Sequence, residues 1–310
     1  MSTAIELAGL SRRYGRHEAL VDVSVKIDSP AIVGLLGRNG AGKTTLLRIL
    51  AGQDFATGGR VEVLDASPLE NDAVLRRMVL VREDQTYPDL KVSQVVRAAA
   101  FCFPNWDAGL AAALLRAYEL PTDRAIRKLS RGMRAALGIV LGLAARAEVT
   151  LFDEPVAGLD AVVRDMFYQQ LLAEYTEHPR CIVLSTHLID EAADLLERIL
   201  IIDHGRLVLD ALADDLRGNA ATVTGPKAAV ARFIADRPTL SRRTLGERAT
   251  AVMVGGLDDR DRELAQLMRL DVSYLTLQQL AMQAASGGLP AASSGELVTA
   301  GRISPGGDRR

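Results

Sequence analysis

The segment 37–44 contains the residues whose types and spacing most directly suggest chemistry. Gly37, Gly42, Lys43 and Thr44 match the phosphate-binding pattern G-x-x-x-x-G-K-[ST]. The glycines let successive main-chain N–H groups point at phosphate oxygens, the lysine adds positive charge, and the threonine hydroxyl can ligate Mg²⁺. A plain glycine-rich turn is the alternative, but this segment lies between a strand pattern and a helix pattern. The candidate nucleotide-binding residues of the loop are Gly37, Arg38, Asn39, Gly40, Ala41, Gly42, Lys43, Thr44 and Thr45.

Two acidic residues follow a second apolar strand pattern, at residues 149–152. Asp153 and Glu154 come at the carboxyl end of this predicted strand, where the ligand sites of α/β sheets lie. There Asp153 would hold Mg²⁺ through water, and Glu154 would polarise the attacking water as a general base. An acidic helix-capping turn is the alternative. The position after a phosphate loop favours the catalytic interpretation.

The surrounding sequence predicts the elements that position these residues. A buried strand over residues 32–36 leads into the phosphate loop, and helical spacing follows over 45–51. Residues 92–147 are rich in alanine and leucine with helical periodicity, which indicates an inserted helical subdomain over about 86–147. Alternating strands and helices predict an α/β fold with a mostly parallel, covered sheet. The other strand patterns lie at 4–7 and 21–27, which are read as antiparallel, and at 181–185, 199–203 and 207–209.

Composition limits the possible function classes. The chain has 310 residues with 37 basic and 39 acidic side chains and a net charge of −2, so we expect no nucleic-acid partner. The longest apolar run, over 135–145, is too short to cross a bilayer, so any membrane role depends on a partner. Two cysteines, Cys102 and Cys181, without a signal-peptide pattern indicate free thiols in a reducing cytosol.

The sequence after residue 218 has shorter elements. The pattern is a strand at 221–224, a helix at 226–235, strands at 241–245 and 249–254, a helix at 258–268 and a strand at 270–274. This order predicts a small α+β accessory module over 219–283, of ferredoxin-like type. Glycine, serine and proline are frequent from residue 285 onward, so we predict a disordered tail over 284–310.

A third segment resembles the signature sequence of the ABC ATPase family. It consists of Leu129, Ser130, Arg131, Gly132 and Met133. In that family the signature serves the nucleotide bound to the other subunit, and the chemistry fits: a hydroxyl, a glycine that permits close approach and a helix N-terminus can face a γ-phosphate. Helix capping by Ser130 is a compatible alternative.

Three further residues resemble family motifs and occur in the family's order. Tyr14 is similar to the aromatic residue that stacks on adenine, Asp160 to the D-loop residue that couples the two sites, and His187 to the switch histidine at the γ-phosphate. Each alone has a structural alternative, namely packing, helix capping or a structural histidine. The resemblance covers residues 1–218. It implies an ABC-type P-loop NTPase with a RecA-like parallel-sheet core, an antiparallel β subdomain and an inserted helical subdomain.

Three positions depart from the family pattern. Glu83 stands where the family usually has the Q-loop glutamine, although a shift of two residues would place Gln85 there. Arg131 and Met133 replace the commoner glycine and glutamine of the signature, and Val156 replaces a small polar residue. A carboxylate binds Mg²⁺ more strongly than an amide. The candidate metal ligands are therefore Thr44, Glu83 and Asp153.

The resemblance implies an ATPase subunit with ATP and Mg²⁺ as cofactors. It would form a homodimer, or pair with a homologous partner, around two Mg-ATP and drive a separate integral-membrane permease. The variants and the short carboxyl-terminal module are similar to exporter-type, ABC-2-like ATPases of drug or antibiotic efflux. Such a subunit would be cytoplasmic, held at the inner face of the cell membrane by the permease. Two alternatives remain open: a soluble ABC ATPase with a remodelling role, and a regulatory function centred on the carboxyl-terminal module.

Overall fold

The protein is described by a computed structural model that covers residues 2–216, 220–254, 257–276 and 278–279. It divides into two compact units, Met1–Leu207 and Val208–Arg310. The domain boundary suggested by the sequence at residue 218 and the tail predicted over 284–310 lie outside the described residues.

Residues 2–216 begin with three consecutive strands, and three α-helices are inserted between the fifth and sixth strands. The strands are β1 (Ser2–Tyr14), β2 (His17–Ser29), β3 (Ala31–Leu36), β4 (Gly58–Val63), β5 (Met78–Arg82), β6 (Val149–Asp153), β7 (Cys181–Ser185), β8 (Arg198–Asp203) and β9 (Arg206–Leu212). The helices are α1 (Lys43–Leu50), α2 (Asp72–Leu75), α3 (Val92–Cys102), α4 (Ala108–Ala117), α5 (Arg131–Ala144), α6 (Ala161–Glu177), α7 (Ile189–Ala192) and α8 (Ala213–Leu216). Short 3-10 helices occur at Ile126–Lys128 and Ala193–Leu195.

A six-stranded sheet with the order β5-β6-β7-β3-β8-β9 carries the segments that suggest chemistry. Strand β3 pairs in parallel with β7 and β8, and β6 pairs in parallel with β5 and β7. Every residue of β6 and β7 is buried, as expected for parallel strands covered on both faces. The predicted parallel, covered sheet is confirmed. Since parallel strands end at the same edge, the segments after β3, β5, β6 and β7 meet there.

The antiparallel sheet has the order β2-β1-β4. Strand β1 has 13 residues where alternation predicted only residues 4–7. Its pairing with β2 shifts register between Leu7 and Leu10, and Gly9 there has a positive φ of 62°. A bulge of this kind resets the two-residue period of a strand, so the sequence alternation stops before the strand does.

Helix α5, which begins at Arg131, packs against the parallel sheet. Helix α5 has two glycines facing that sheet: a Cβ on Gly142 would come within 2.7 Å of the Phe152 ring, and one on Gly138 within 2.9 Å of Val81. Phe152 also packs edge-on against Phe167, with ring centroids 5.4 Å apart. The start of α5 is therefore fixed relative to the strand that carries Asp153.

The second unit has its own sheet and core. Its elements are β10 (Ala220–Pro226), α9 (Lys227–Phe233), β11 (Thr239–Leu245), β12 (Arg248–Val254), α10 (Asp259–Leu267) and β13 (Asp271–Tyr274). The strand order is β11-β12-β10-β13, and every pairing is antiparallel. Val230 and Phe233 from α9 and Ala265 from α10 share one core with the sheet. The element order is the ferredoxin-like order that the sequence suggests.

Candidate active site

The phosphate-binding pattern forms a tight loop between β3 and α1. Gly37, Gly40 and Gly42 have positive φ values of 150°, 79° and 112°, which side chains disfavour. A Cβ on Gly37 would lie 2.2 Å from the carbonyl oxygen of Ile202, and one on Gly42 would lie 2.6 Å from that of Ala19. Packing as well as conformation therefore requires Gly37 and Gly42, whereas Gly40 is favoured by its conformation alone.

Lys43 is the first residue of α1 and is only 7% exposed. Its Nζ donates to the carbonyl oxygen of Gly37 at 2.7 Å and lies 3.9 Å from Oε1 of Glu154. Burial lowers the pKa of Lys43 from its ordinary value, against the opposing effect of the Glu154 and Asp153 charges. A buried cation whose hydrogen bonds go to main-chain carbonyls is readily redirected to a stronger acceptor such as a phosphate.

Thr44 at the start of α1 and Asp153 at the end of β6 are brought together. The Thr44 hydroxyl donates to Oδ2 of Asp153 at 2.7 Å, and Asp153 is 6% exposed. Hydroxyl and carboxylate oxygens are the hard donors that Mg²⁺ prefers, so the pair fits this cation. The carboxylate of Glu83 does not join them but forms an ion pair with Arg131. Within the described ranges, no group of three or more His, Cys, Asp or Glu forms a metal cluster.

Glu154 and His187 form a hydrogen-bonded pair above the end of the sheet. Oε2 of Glu154 lies 2.7 Å from Nδ1 of His187, and the Glu154 main-chain N–H donates to the carbonyl oxygen of Ser185 at 3.0 Å. Glu154 has a φ of 52°, a strained conformation for a residue with a side chain. Its Oε1 is buried without a hydrogen-bond partner among the described residues. The carboxylate therefore has one oriented oxygen and one oxygen available to a ligand.

One cavity of about 420 Å³ collects most of the predicted nucleotide-site residues. Its lining includes Tyr14, Arg38, Asn39, Gly40, Gly42, Lys43, Thr44, Thr45, Glu83, Asp153 and Glu154, together with His17 and Ala19. His17 and Ala19 were missed by sequence reasoning, since neither matches a motif. Gly37 and Ala41 support the loop from inside, where Ala41 is 4% exposed and its N–H donates to the carbonyl oxygen of Arg38 at 3.0 Å.

The residues 129–133 lie outside that cavity. The Oγ of Ser130 accepts a hydrogen bond from the Met133 main-chain N–H at 3.1 Å, which caps α5. Leu129 is buried, whereas Ser130 and Arg131 are exposed. Asp160 likewise caps α6 by accepting from the Val163 N–H at 3.0 Å. Both capping alternatives from the sequence are therefore realised within the single chain.

Of the two candidates for the Q-loop position, Glu83 has the geometry of a site residue. It lines the 420 Å³ cavity, and its main-chain N–H donates to the carbonyl oxygen of Asp153 at 3.0 Å. Gln85 instead accepts from the Arg82 main-chain N–H at 3.3 Å. Val156, the third departure from the family pattern, is 1% exposed and is accommodated as an ordinary core residue.

Together these features define a P-loop nucleoside triphosphatase: a phosphate loop joins β3 to α1, and two strands away Asp153 ends β6 and Glu154 follows it. Comparison with known proteins narrows this class. Residues 20–157 match the family described as ABC transporter. The ABC transporter ATP-binding protein YtrB of Bacillus subtilis is 32% identical over 215 residues, which are 69% of this chain and 73% of YtrB.

A second relative is the doxorubicin resistance ATP-binding protein DrrA of Mycobacterium tuberculosis. It is 31% identical over 227 residues, which are 70% of this chain and 68% of DrrA. The chain therefore belongs to the ATP-binding proteins of the ABC transporter family, and it binds and hydrolyses ATP as a transporter ATPase subunit.

Solved structures share this fold. An ATP-binding subunit of an ABC transporter has a TM-score of 0.64 and 24% identity, and the match covers 69% of this chain and 92% of that one. A dimeric ATP-binding cassette bound to ADP and Pi has a TM-score of 0.59 and 23% identity, covering 67% and 98%. In the described part of the protein, no helix is long and apolar enough to cross a membrane.

Proposed function

We propose that this chain pairs with a second ATPase subunit and closes around two Mg-ATP, and that closure powers export through a separate integral-membrane permease. ATP would supply the difference in binding energy between the open and closed states. Hydrolysis would then release the closed state.

The observation that carries the hydrolytic part of this proposal is the position of the Glu154 carboxylate. One oxygen is held by His187 at 2.7 Å, and the other is buried and lacks a hydrogen-bond partner. A general base needs an oriented carboxylate with one oxygen directed at the attacking water. Glu154 is therefore the proposed base, and His187 is the residue that orients it and approaches the γ-phosphate.

The remaining residues of the cavity have binding roles in this proposal. Lys43 and the loop N–H groups would bind the phosphates, and Tyr14 would stack on adenine. A bound Mg²⁺ would neutralise charge on the β- and γ-phosphates, and Thr44 and Asp153 are the residues that would hold it. Glu83 reaches the same cavity and would join them only after separating from Arg131.

The proposed pairing with a second subunit rests on the exposed segment 129–133. Gly132 has no close neighbour: a Cβ there would meet nothing nearer than the Gly158 carbonyl oxygen at 3.5 Å. Since its own chain leaves room for a side chain, the glycine suits the approach of something outside the chain. A nucleotide held by the phosphate loop of a second subunit fits this surface, with Ser130, Gly132 and the N-terminus of α5 facing its γ-phosphate. Asp160 would lie at the same interface.

The direction of transport and the membrane partner are proposed from the relatives. DrrA is named for drug resistance, which supports export, whereas an aliphatic sulfonates import ATP-binding protein of Paraburkholderia xenovorans is 31% identical over 207 residues. Purification of the chain from detergent-solubilised membranes should yield an integral-membrane subunit. Transport assays in vesicles containing that complex would then give the direction.

Replacing the general base tests the catalytic proposal. We expect Glu154→Gln to retain ATP binding, because the amide keeps the size and polarity of the side chain, and to lower phosphate release by a factor of about 10²–10⁴. Phosphate release and equilibrium ATP binding are measured on the same preparations. Glu148→Gln is the matched control, since Glu148 is an exposed glutamate paired with Arg77 outside the cavity. Undiminished phosphate release by Glu154→Gln would contradict the assigned role.

A further inference from the structure

One face of the Tyr14 ring is in contact with the guanidinium of Arg12. Arg12 and Tyr14 lie two residues apart on β1, and the Arg12 guanidinium packs over the Tyr14 ring. The guanidinium carbon of Arg12 lies 4.4 Å from the Tyr14 ring centroid and 3.9 Å from the centroid of Phe55. Both distances are within the range of cation–π contact. One guanidinium thus contacts two aromatic rings, and the ring of Tyr14 borders the 420 Å³ cavity.

A single carboxylate connects the members of this cluster. Oδ1 of Asp54 lies 2.7 Å from the Arg12 guanidinium and accepts the Phe55 main-chain N–H at 2.8 Å. Oδ2 of Asp54 accepts the hydroxyl of Tyr14. Burial alone would raise the pKa of Asp54, but the hydrogen bonds from Tyr14 and Phe55 and the charge of Arg12 together lower it. The carboxylate therefore stays ionised as the acceptor for all three partners.

This ion pair is buried, although it lies beside an open cavity. The side chains of Arg12 and Asp54 are only 8% and 7% exposed, whereas Tyr14 is 41% and Phe55 is 54% exposed. Burial of an ion pair is costly unless its geometry is fixed by further contacts. The two rings and the hydrogen bonds to Asp54 provide these contacts.

The loop that carries Asp54 and Phe55 is fastened to β1. The main-chain N–H and the hydroxyl of Thr57 donate to the carbonyl oxygen of Ser11 at 2.8 and 3.1 Å, and β4 begins at the next residue, Gly58. The loop also follows α1, whose first residue is Lys43. The backing cluster is therefore joined to both the strand of Tyr14 and the helix of the phosphate loop.

We propose that Arg12, Asp54 and Phe55 form a backing layer that fixes the Tyr14 ring as a platform for the adenine of ATP. The inference rests on the proposed role of Tyr14. The layer fixes the two torsions of Tyr14 before ATP arrives, since Arg12 holds the ring and Asp54 holds the hydroxyl. Such preorganisation removes an ordering cost from binding. The three are positioning residues, because they act on the base through Tyr14.

The proposal predicts that the variants weaken binding of the adenine base and leave binding of the phosphates unchanged. Isothermal titration with Mg-ATP and with Mg-tripolyphosphate, which lacks a base, separates these two contributions. Arg12→Lys keeps a positive charge for Asp54 but loses the planar surface, so we expect the Kd for ATP to rise about threefold. Phe55→Leu should raise it by roughly twofold. The Kd for tripolyphosphate should not change in either variant, and in hydrolysis KM should rise while kcat stays the same.

Two further variants interpret the result. Arg13→Lys is the matched control, since Arg13 is the neighbouring arginine and pairs with Glu18 on an exposed surface. Tyr14→Ala tests the platform itself and should raise the Kd for ATP about tenfold or more, with tripolyphosphate unaffected. If Tyr14→Ala leaves the ratio of the two Kd values unchanged, both the adenine platform and its backing layer are excluded. If Tyr14→Ala changes that ratio but Arg12→Lys does not, or if Arg12→Lys weakens both ligands equally, the backing layer alone is excluded.

Discussion

The phosphate loop and the segment 129–133 both contain glycine, but only the phosphate loop needs it for packing within the chain. A Cβ on Gly37 would lie 2.2 Å from a main-chain oxygen, in a conformation with φ of 150°. A Cβ on Gly132 would have its nearest neighbour at 3.5 Å, which is ordinary contact. Gly37 is thus required by contacts within this chain. Gly132 is not, and the approach of a group from outside the chain would explain it.

The polar residues of the two regions differ in the same way. Lys43 and Asp153 are 7% and 6% exposed and already contact protein partners. Ser130 and Arg131 are exposed, and beyond its helix cap Ser130 presents its hydroxyl to solvent. The phosphate loop is therefore a nearly complete phosphate site within one chain. The segment 129–133 is an exposed surface whose polar groups face solvent. The difference supports a nucleotide site shared between two chains.

The largest effect should come from adding a methyl group to the phosphate loop. We expect Gly37→Ala to lower the free energy of unfolding by roughly 3 kcal/mol and to abolish ATP binding, because the methyl group collides with main chain and the backbone is strained. Denaturant unfolding and nucleotide titration measure the two effects. A variant of native stability that binds ATP normally would show that the loop relaxes around the added methyl group.

The same change in the other region should separate stability from activity. Gly132→Ala should raise the free energy of unfolding slightly, by less than about 1 kcal/mol, because alanine is more favourable than glycine in a helix. We expect ATP binding to persist and hydrolysis to fall about tenfold or more, since a methyl group would obstruct the partner's γ-phosphate. Unimpaired hydrolysis would argue that nothing approaches Gly132 closely.

Mixed dimers locate the site to which Gly132 belongs. Lys43→Met on one chain and Gly132→Ala on the other should leave one intact shared site, and hydrolysis should continue. Both changes on the same chain, paired with an unaltered chain, should damage both sites. A site built within one chain would give the opposite pattern.

The smallest effect should come from the ion pair between Glu83 and Arg131. Their side chains are 37% and 65% exposed, and exposed pairs contribute little after solvent screening. A double-mutant cycle with Glu83→Gln and Arg131→Gln, measured by denaturant unfolding, should give a coupling free energy of less than about 1 kcal/mol. This coupling should decrease with added salt. A coupling above about 2 kcal/mol that is insensitive to salt would make the pair a structural feature of the region instead.

The sequence predicts the parts of the site that are continuous along the chain. The phosphate loop is one strand-loop-helix unit, and Asp153 and Glu154 lie at the carboxyl end of their strand. The parallel topology alone therefore brings them to the same edge of the sheet as the loop. The carboxyl-terminal module is predictable for a similar reason, because its short elements alternate clearly. In these regions, local pattern and global fold agree.

The sequence does not predict the contacts that depend on distant side chains. Arg12 meets Asp54 only because β1 pairs with β4, and Glu83 meets Arg131 across 48 positions of the chain. The pattern of charges along a sequence does not predict which residues pair across such separations, because the pairs also depend on side-chain rotamers. The left-handed conformation of Glu154 is likewise imposed by tertiary structure rather than by residue type.

Because Ser130 caps α5, only a few other residue types could replace serine at position 130. A hydroxyl has two acceptor sites and one hydrogen to donate, and the cap uses an acceptor site for the Met133 N–H. The hydrogen is left to donate to an incoming anion. Aspartate would cap the helix equally well but would have no hydrogen to offer and would carry the same charge sign as a phosphate. Threonine would satisfy both requirements, so a change to aspartate should cost activity and a change to threonine should be tolerated.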